Sequence, residues 1–135
     1  MTPSGGNVRA RRGSTAAGPV KPRVLSASTL LGESLCDAAG KGLGRIEEFM
    51  IDLDAGRVAY AVIARTEPAN AGRRLVAVPF SCIDFDRERH EFLLVSNRRL
   101  LESAPTFARD EWPDMEDRRW ALDLHAHYGC APYWE

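Results

Sequence analysis

LGRIEEFMIDLDAGRVAYAVIAR, running from Leu43 to Arg65, is the stretch that decides the architecture. Two apolar blocks, Leu43 to Leu53 and Arg57 to Arg65, flank Asp54-Ala55-Gly56. A short loop ending in glycine fits a tight hairpin, because glycine takes the left-handed conformation without a steric penalty. In the second block Val58, Tyr60, Val62 and Ala64 alternate with Ala59, Ala61 and Ile63, so both faces are apolar. That pattern predicts the central and most buried strand. The first block breaks strict alternation: Phe49, Ile51 and Leu53 share one face, while Ile46 and Met50 have the other parity. A single β-bulge around Glu47-Glu48 brings Ile46 onto the Phe49 face, and such bulges bend strands where barrels curl. A helix over Leu43 to Met50 is the competing reading, with Gly44 and the hairpin signal counting against it.

Outward from the hairpin, Gly32 to Asp37 reads as a short strand, and Ala38-Ala39-Gly40-Lys41-Gly42 as the turn after it. Val24 to Leu31 opens the ordered part, with Ser28 or Thr29 stabilising a short turn. Downstream, Thr66 to Arg73, with Pro68, Asn70 and Gly72, is a polar loop, and Arg74 to Val78 is a strand apolar on both faces. Pro79 has no N–H for a ladder and is expected to end it. Phe80 to Phe85 reads as an irregular crossing, Asp86 to Arg89 as a charged turn, and Glu91 to Val95 as the last strand. Ser96 is the predicted N-cap of a helical turn from Asn97 to Ser103. Beyond Ala104 the composition changes to an aromatic, proline-rich crossing (Pro105, Phe107, Trp112, Pro113). Asp114 is the predicted cap of a helix from about Met115 to Tyr128, with Glu116 and Asp117 in a first turn where negative charge suits the dipole. Trp120, Leu124 and Tyr128 form an apolar stripe at helical spacing, and Gly129 ends the helix.

At 135 residues the chain holds one domain. Met1 to Arg23 is rich in Gly, Ser, Thr and Pro and carries Arg9, Arg11, Arg12, Lys21 and Arg23 without an acid. It cannot bury enough apolar surface to offset its ordering entropy, so a disordered basic leader is expected. The whole chain has a formal net charge of −1, so the remainder leans acidic. No apolar run approaches the roughly 20 residues that span a bilayer. Cys36, Cys82 and Cys130 are an odd number at wide spacing, which argues against a disulfide framework and for a reducing, cytoplasmic setting.

Few residue sets invite a chemical reading. His125, His127 and Cys130 form a His-x-His-x-x-Cys grouping. Helical residues two apart point about 200° from one another, so the imidazoles would not share one ion, and histidines near carbonyls or solvent are the expectation. Glu47, Glu48, Asp52 and Asp54 are close acids, read as solvent-facing strand and turn positions rather than a glycosidase pair. Ser81 or Cys82 with His90 lacks the glycine elbow of a nucleophile. Gly40-Lys41-Gly42-Leu43-Gly44 resembles a phosphate loop without the helix that completes one. Arg73, Arg74, Arg87, Arg89, Arg98 and Arg99 could form a basic edge, without the interleaved aromatics of a single-strand binder.

Taken together, Leu25 to Leu31, Gly32, the Asp37…Gly40 turn, Leu43-Gly44-Arg45-Ile46, the Ile51-Asp52-Leu53…Gly56-Arg57-Val58…Tyr60-Ala61-Val62 hairpin and Val76-Ala77-Val78-Pro79 resemble the PRC-barrel domain in order and spacing. The tail, through Trp112-Pro113, Tyr128-Gly129 and Pro132-Tyr133-Trp134, is similar to the extension of stand-alone bacterial PRC-barrel proteins. The resemblance implies a mainly β fold: a small antiparallel PRC-type β-barrel over residues 24–104 with a C-terminal helical, Trp-rich extension over 105–135, packed on the barrel or on a partner subunit. It also implies no known enzymatic chemistry, so no catalytic, cofactor or metal residue is assigned. Relatives named in the resemblance are the cytoplasmic domain of the photosynthetic reaction-centre H subunit and the C-terminal domain of a ribosome maturation factor. Neither the membrane helix of the first nor the N-terminal barrel of the second is expected from these 135 residues. The expected function is a cytoplasmic adaptor that binds protein partners, itself included as a homodimer. The alternative is an RNA- or ribosome-associated factor making weak RNA contact through the basic leader.

Overall fold

The computed structural model describes residues 24–66 and 74–135. The predicted leader and most of the predicted Thr66–Arg73 loop lie outside the described residues. Six strands, β1 (Ser34–Cys36), β2 (Gly42–Asp52), β3 (Arg57–Arg65), β4 (Leu75–Pro79), β5 (Ile83–Asp86) and β6 (Glu91–Leu94), build one sheet in the order β4-β3-β2-β1-β6-β5. The sheet curls into a half-barrel. Neighbouring strands run antiparallel except β1 and β6, which are parallel. Three helices complete the described chain: α1 (Ala27–Leu30), α2 (Arg98–Glu102) and α3 (Arg118–Tyr128).

The predicted hairpin is present. Asp52 accepts from the Ala55 amide at 2.9 Å, the Gly56 amide donates to the Asp52 carbonyl at 2.8 Å, and Gly56 sits at φ 67°. The register of β2 against β3 shifts between Ile46 and Glu48, which places Glu47 as the extra residue where the bulge was expected. Ile46 is buried as a result. A second shift between Met50 and Ile51 was not anticipated. There the extra residue is Ala59 of β3, and on β2 and the turn beyond it Ile51 and Leu53 are 51% and 87% exposed.

In β3, residues 59–63 are all buried, as both apolar faces required. All five residues of β4 are buried too, although β4 stands at one end of the strand order. Its outer edge is covered by the chain itself: Leu75 and Phe107 exchange backbone hydrogen bonds of 2.8 and 2.9 Å. Pro79 is the last residue of β4, opposite Tyr60. Leu35, Ile46, Ile63, Val76 and Phe92 anchor the core, each worth about 1.5–3 kcal/mol of burial.

Three predictions of local structure need correction. Phe80 to Phe85 is not irregular throughout: a 3-10 turn over Phe80–Cys82 leads straight into β5, which pairs fully with β6. Ser96 is not the cap of α2. Asn97 is, its side chain accepting from the Arg99 amide at 2.8 Å. The C-terminal helix begins at Arg118, with Asp117 and not Asp114 as cap; Asp114 instead closes a preceding turn by accepting from the Glu116 amide. Glu116 and Asp117 therefore precede the helix, and its first turn carries Arg118 and Arg119 instead of the expected acids. Gly129 ends α3 at φ 71°, as expected.

Candidate functional site

Tyr60 of β3 is the centre on which the C-terminal segment assembles. Its ring lies 5.3 Å from Trp120, 5.7 Å from His125 and 5.7 Å from Tyr133, edge-on or tilted in each case. Such aromatic pairs prefer edge-to-face contact because ring edges are positive and faces negative. His125, inside this cluster, is 1% exposed. Its Nε2 accepts from the Tyr133 amide at 3.3 Å, so Nδ1 carries the proton and donates to the Ala121 carbonyl at 2.7 Å. The ring is thereby fixed as a structural pillar. Tyr133 also reaches the hairpin: its hydroxyl donates to Asp52. That bond and the Ala55 amide hold the Asp52 carboxyl below its ordinary range, while burial and Asp52 push the Tyr133 phenol up to about 12. Arg118 lies over the Trp134 ring at 4.0 Å.

Between the hairpin tip and this segment runs a groove of about 670 Å³. Tyr60, Tyr133 and Trp134 line it from the aromatic cluster, together with Ile51 and Leu53 of the hairpin and Trp112 of the C-terminal segment. Asp52, Asp54, Asp114 and Glu116 lie along it, with Arg118 as the cation among them. A smaller groove of about 380 Å³ adjoins it across Trp112 and is lined by Arg74, Phe107 and Leu124 among others. Trp112 is held in place by donation from its indole N–H to the Arg109 carbonyl at 2.7 Å, and its ring packs 5.3 Å from Phe107.

The groupings noted in the sequence separate in space. His127 bonds the Leu100 carbonyl at 2.7 Å while His125 faces the Tyr60 cluster, so the two imidazoles serve different carbonyls. Among the described residues no cluster of three metal-ligating side chains occurs. Glu47, the bulge residue, pairs with Arg109 of the tail. Glu48 accepts from the Phe49 amide, and Asp52 is engaged as above, so these acids do not face one another as a pair. His90 bonds Glu33 at 2.8 Å and Cys82 faces Cys130, so the histidine addresses neither Ser81 nor Cys82. The glycine-rich turn leads into β2, a strand. The arginines do not form one edge. Arg74 is bound to Thr106 at 2.7 Å beside β4, Arg87 and Arg89 lie in the β5–β6 turn, Arg98 and Arg99 belong to α2, and Arg73 lies outside the described residues.

What sequence reading missed is the groove itself. It joins Ile51 and Leu53 of the hairpin to Trp112 of the C-terminal segment, residues about sixty positions apart that meet only in three dimensions.

A family model for the PRC-barrel domain matches residues 22–100, while no curated protein matches the chain. That match takes in all six strands of the curled sheet, from β1 to β6, and stops within α2. No helix among the described residues is long and apolar enough to cross a membrane. On the extent of the match and the order of its strands, the chain belongs to the PRC-barrel domain family.

Proposed function

We propose that this chain is a non-enzymatic, cytoplasmic protein-interaction module that associates with a second copy of itself through the groove beside the hairpin tip. One observation carries the reading: Ile51, Leu53 and Trp112, at 51%, 87% and 38% exposure, are gathered on the lips of a single groove with an aromatic lining. Large apolar side chains exposed together around a concavity are the ordinary mark of an interaction surface. Leu53 projects and the groove recedes on the same patch. A two-fold contact therefore lets the projection of each copy enter the groove of the other, which is the self-complementarity a symmetric dimer requires.

Light scattering after size-exclusion chromatography tests this directly. The unmodified chain is expected at dimer mass, and Leu53→Glu combined with Ile51→Glu at monomer mass. Because both side chains are exposed on the single chain, the variant should stay folded and melt cooperatively, at a midpoint that no longer depends on protein concentration. A parent chain that runs as a monomer at about 100 μM would sink the self-association reading. Binding to RNA that weakens steeply with added salt would instead favour the accessory-factor class, since phosphate contacts release counterions.

A further inference from the structure

Cys82 and Cys130, 48 positions apart, have their sulfurs 3.2 Å from one another. Both are free thiols, as is Cys36, which lies apart on β1. Cys82 ends the 3-10 turn after β4 and is buried; its carbonyl is also fixed, accepting from the Val95 amide at 2.8 Å. Cys130 follows the left-handed Gly129 at the end of α3, with its amide donating to the His125 carbonyl at 3.0 Å, and is half-buried. Two separately anchored backbone segments thus deliver a pair of thiols to within about 1.2 Å of disulfide bonding distance.

We propose that Cys82 and Cys130 are a reversible disulfide site, oxidised by a peroxide, that fastens the C-terminal segment to the barrel. The more accessible Cys130 reacts first. Its thiolate attacks one peroxide oxygen, the O–O bond breaks, and water leaves, giving a sulfenic acid at Cys130. The Cys82 sulfur then attacks the Cys130 sulfur. The S–S bond forms, the S–O bond breaks, and the departing hydroxide leaves as water with the Cys82 proton. Two thiols and one hydrogen peroxide give one disulfide and two waters, the sulfurs losing the two electrons that the peroxide gains. A dithiol reductant reverses it by exchange. Burial and the neighbouring Cys130 push the Cys82 thiol up to about 12, so Cys82 stays protonated and is not the thiol that meets the peroxide first. The crosslink would hold the segment carrying Tyr133 and Trp134 on the sheet. The proposal stands on the thiols alone and does not depend on the groove being an interface.

The test uses the full-length reduced protein treated with one to two equivalents of hydrogen peroxide. Intact mass should fall by about 2 Da, and peptide mapping should join Cys82 to Cys130, in the parent and in Cys36→Ser alike. The thermal midpoint should rise on the order of 10 °C and return with dithiothreitol, because a crosslink across this separation restricts the unfolded chain. In Cys82→Ser, Cys130 should instead accumulate sulfenic acid that dimedone traps. A parent chain that gains oxygen at Cys130 without forming the link, or that links Cys130 to Cys36 or to a second molecule, overturns the proposal. The mapping on the parent decides the matter even if Cys82→Ser does not fold.

Discussion

Gly44→Ala is expected to cost about 3 kcal/mol of stability, near the upper end for overpacking a core. A Cβ at Gly44 would lie 2.4 Å from the Ala64 carbonyl oxygen and 2.7 Å from Ile63 Cγ2. The first of these is backbone, so it cannot swing aside as a flexible side chain would. Nor can β2 retreat, because Gly44 is paired on both sides, with Arg65 of β3 and with Leu35 of β1. The measurement is urea unfolding beside Gly42→Ala, where an added methyl meets nothing within 4 Å among the described residues. Equal midpoints for the two variants would show that the close strand approach at Gly44 is not what the sequence is protecting.

Alkaline solution is expected to unfold the protein well before ordinary deamidation or backbone damage intervenes. Tyr60 and Tyr128 are 2% and 3% exposed, and burial raises both phenols above their usual value. In the unfolded chain each ionises near pH 10. Below that the unfolded and folded forms are both protonated and stability is unaffected. Above it the unfolded chain loses protons that the folded chain keeps, so stability falls by up to about 1.4 kcal/mol per pH unit for each tyrosine until the folded phenols ionise. The Cys82 thiol, raised to about 12, adds a loss that begins nearer pH 8.5. Urea midpoints should be flat up to about pH 8 and drop steeply from pH 10 to 11. The double variant Tyr60→Phe and Tyr128→Phe should flatten the upper part of that fall. Neither hydroxyl has a hydrogen-bond partner among the described residues, so the substitutions remove no bond to them. A fall as steep in the double variant as in the parent would assign the alkaline loss to other groups.

How far the sequence spoke depends on the range over which each feature is determined. The hairpin, its glycine turn, the bulge at Glu47 and the doubly apolar β3 are fixed by residues adjacent in the chain, and alternation with one break was enough to read them. β5 escaped because Cys82 and Ile83, both buried, are consecutive, which hides a period of two where a 3-10 turn runs into a strand. The start of α3 was misplaced by three residues because both Asp114 and Asp117 are capping residue types, and the acids after Asp114 favoured the earlier one while the helix starts after the later. His125 was placed correctly near a carbonyl, but its burial against Tyr60 was not legible, since β3 and α3 meet only in three dimensions. The approach of Cys82 to Cys130 belongs to the same class. Three widely spaced cysteines argued against a disulfide framework, and nothing local says that two of them end on neighbouring pieces of backbone.

The parallel pairing of Leu35 with Phe92 bears on the order in which the molecule assembles. The β2–β3 and β5–β6 pairs are joined by short turns and can form on their own from nearby chain. The β1–β6 seam cannot, because it waits until two segments distant in sequence have met, and the entropy of closing that loop comes before any return from it. Folding should therefore pass through two preformed halves, with the seam as the slow, late step. Mutations at Leu35 would then mainly speed unfolding, and mutations in the hairpin at Val62 would mainly slow folding, a difference that stopped-flow chevrons would resolve.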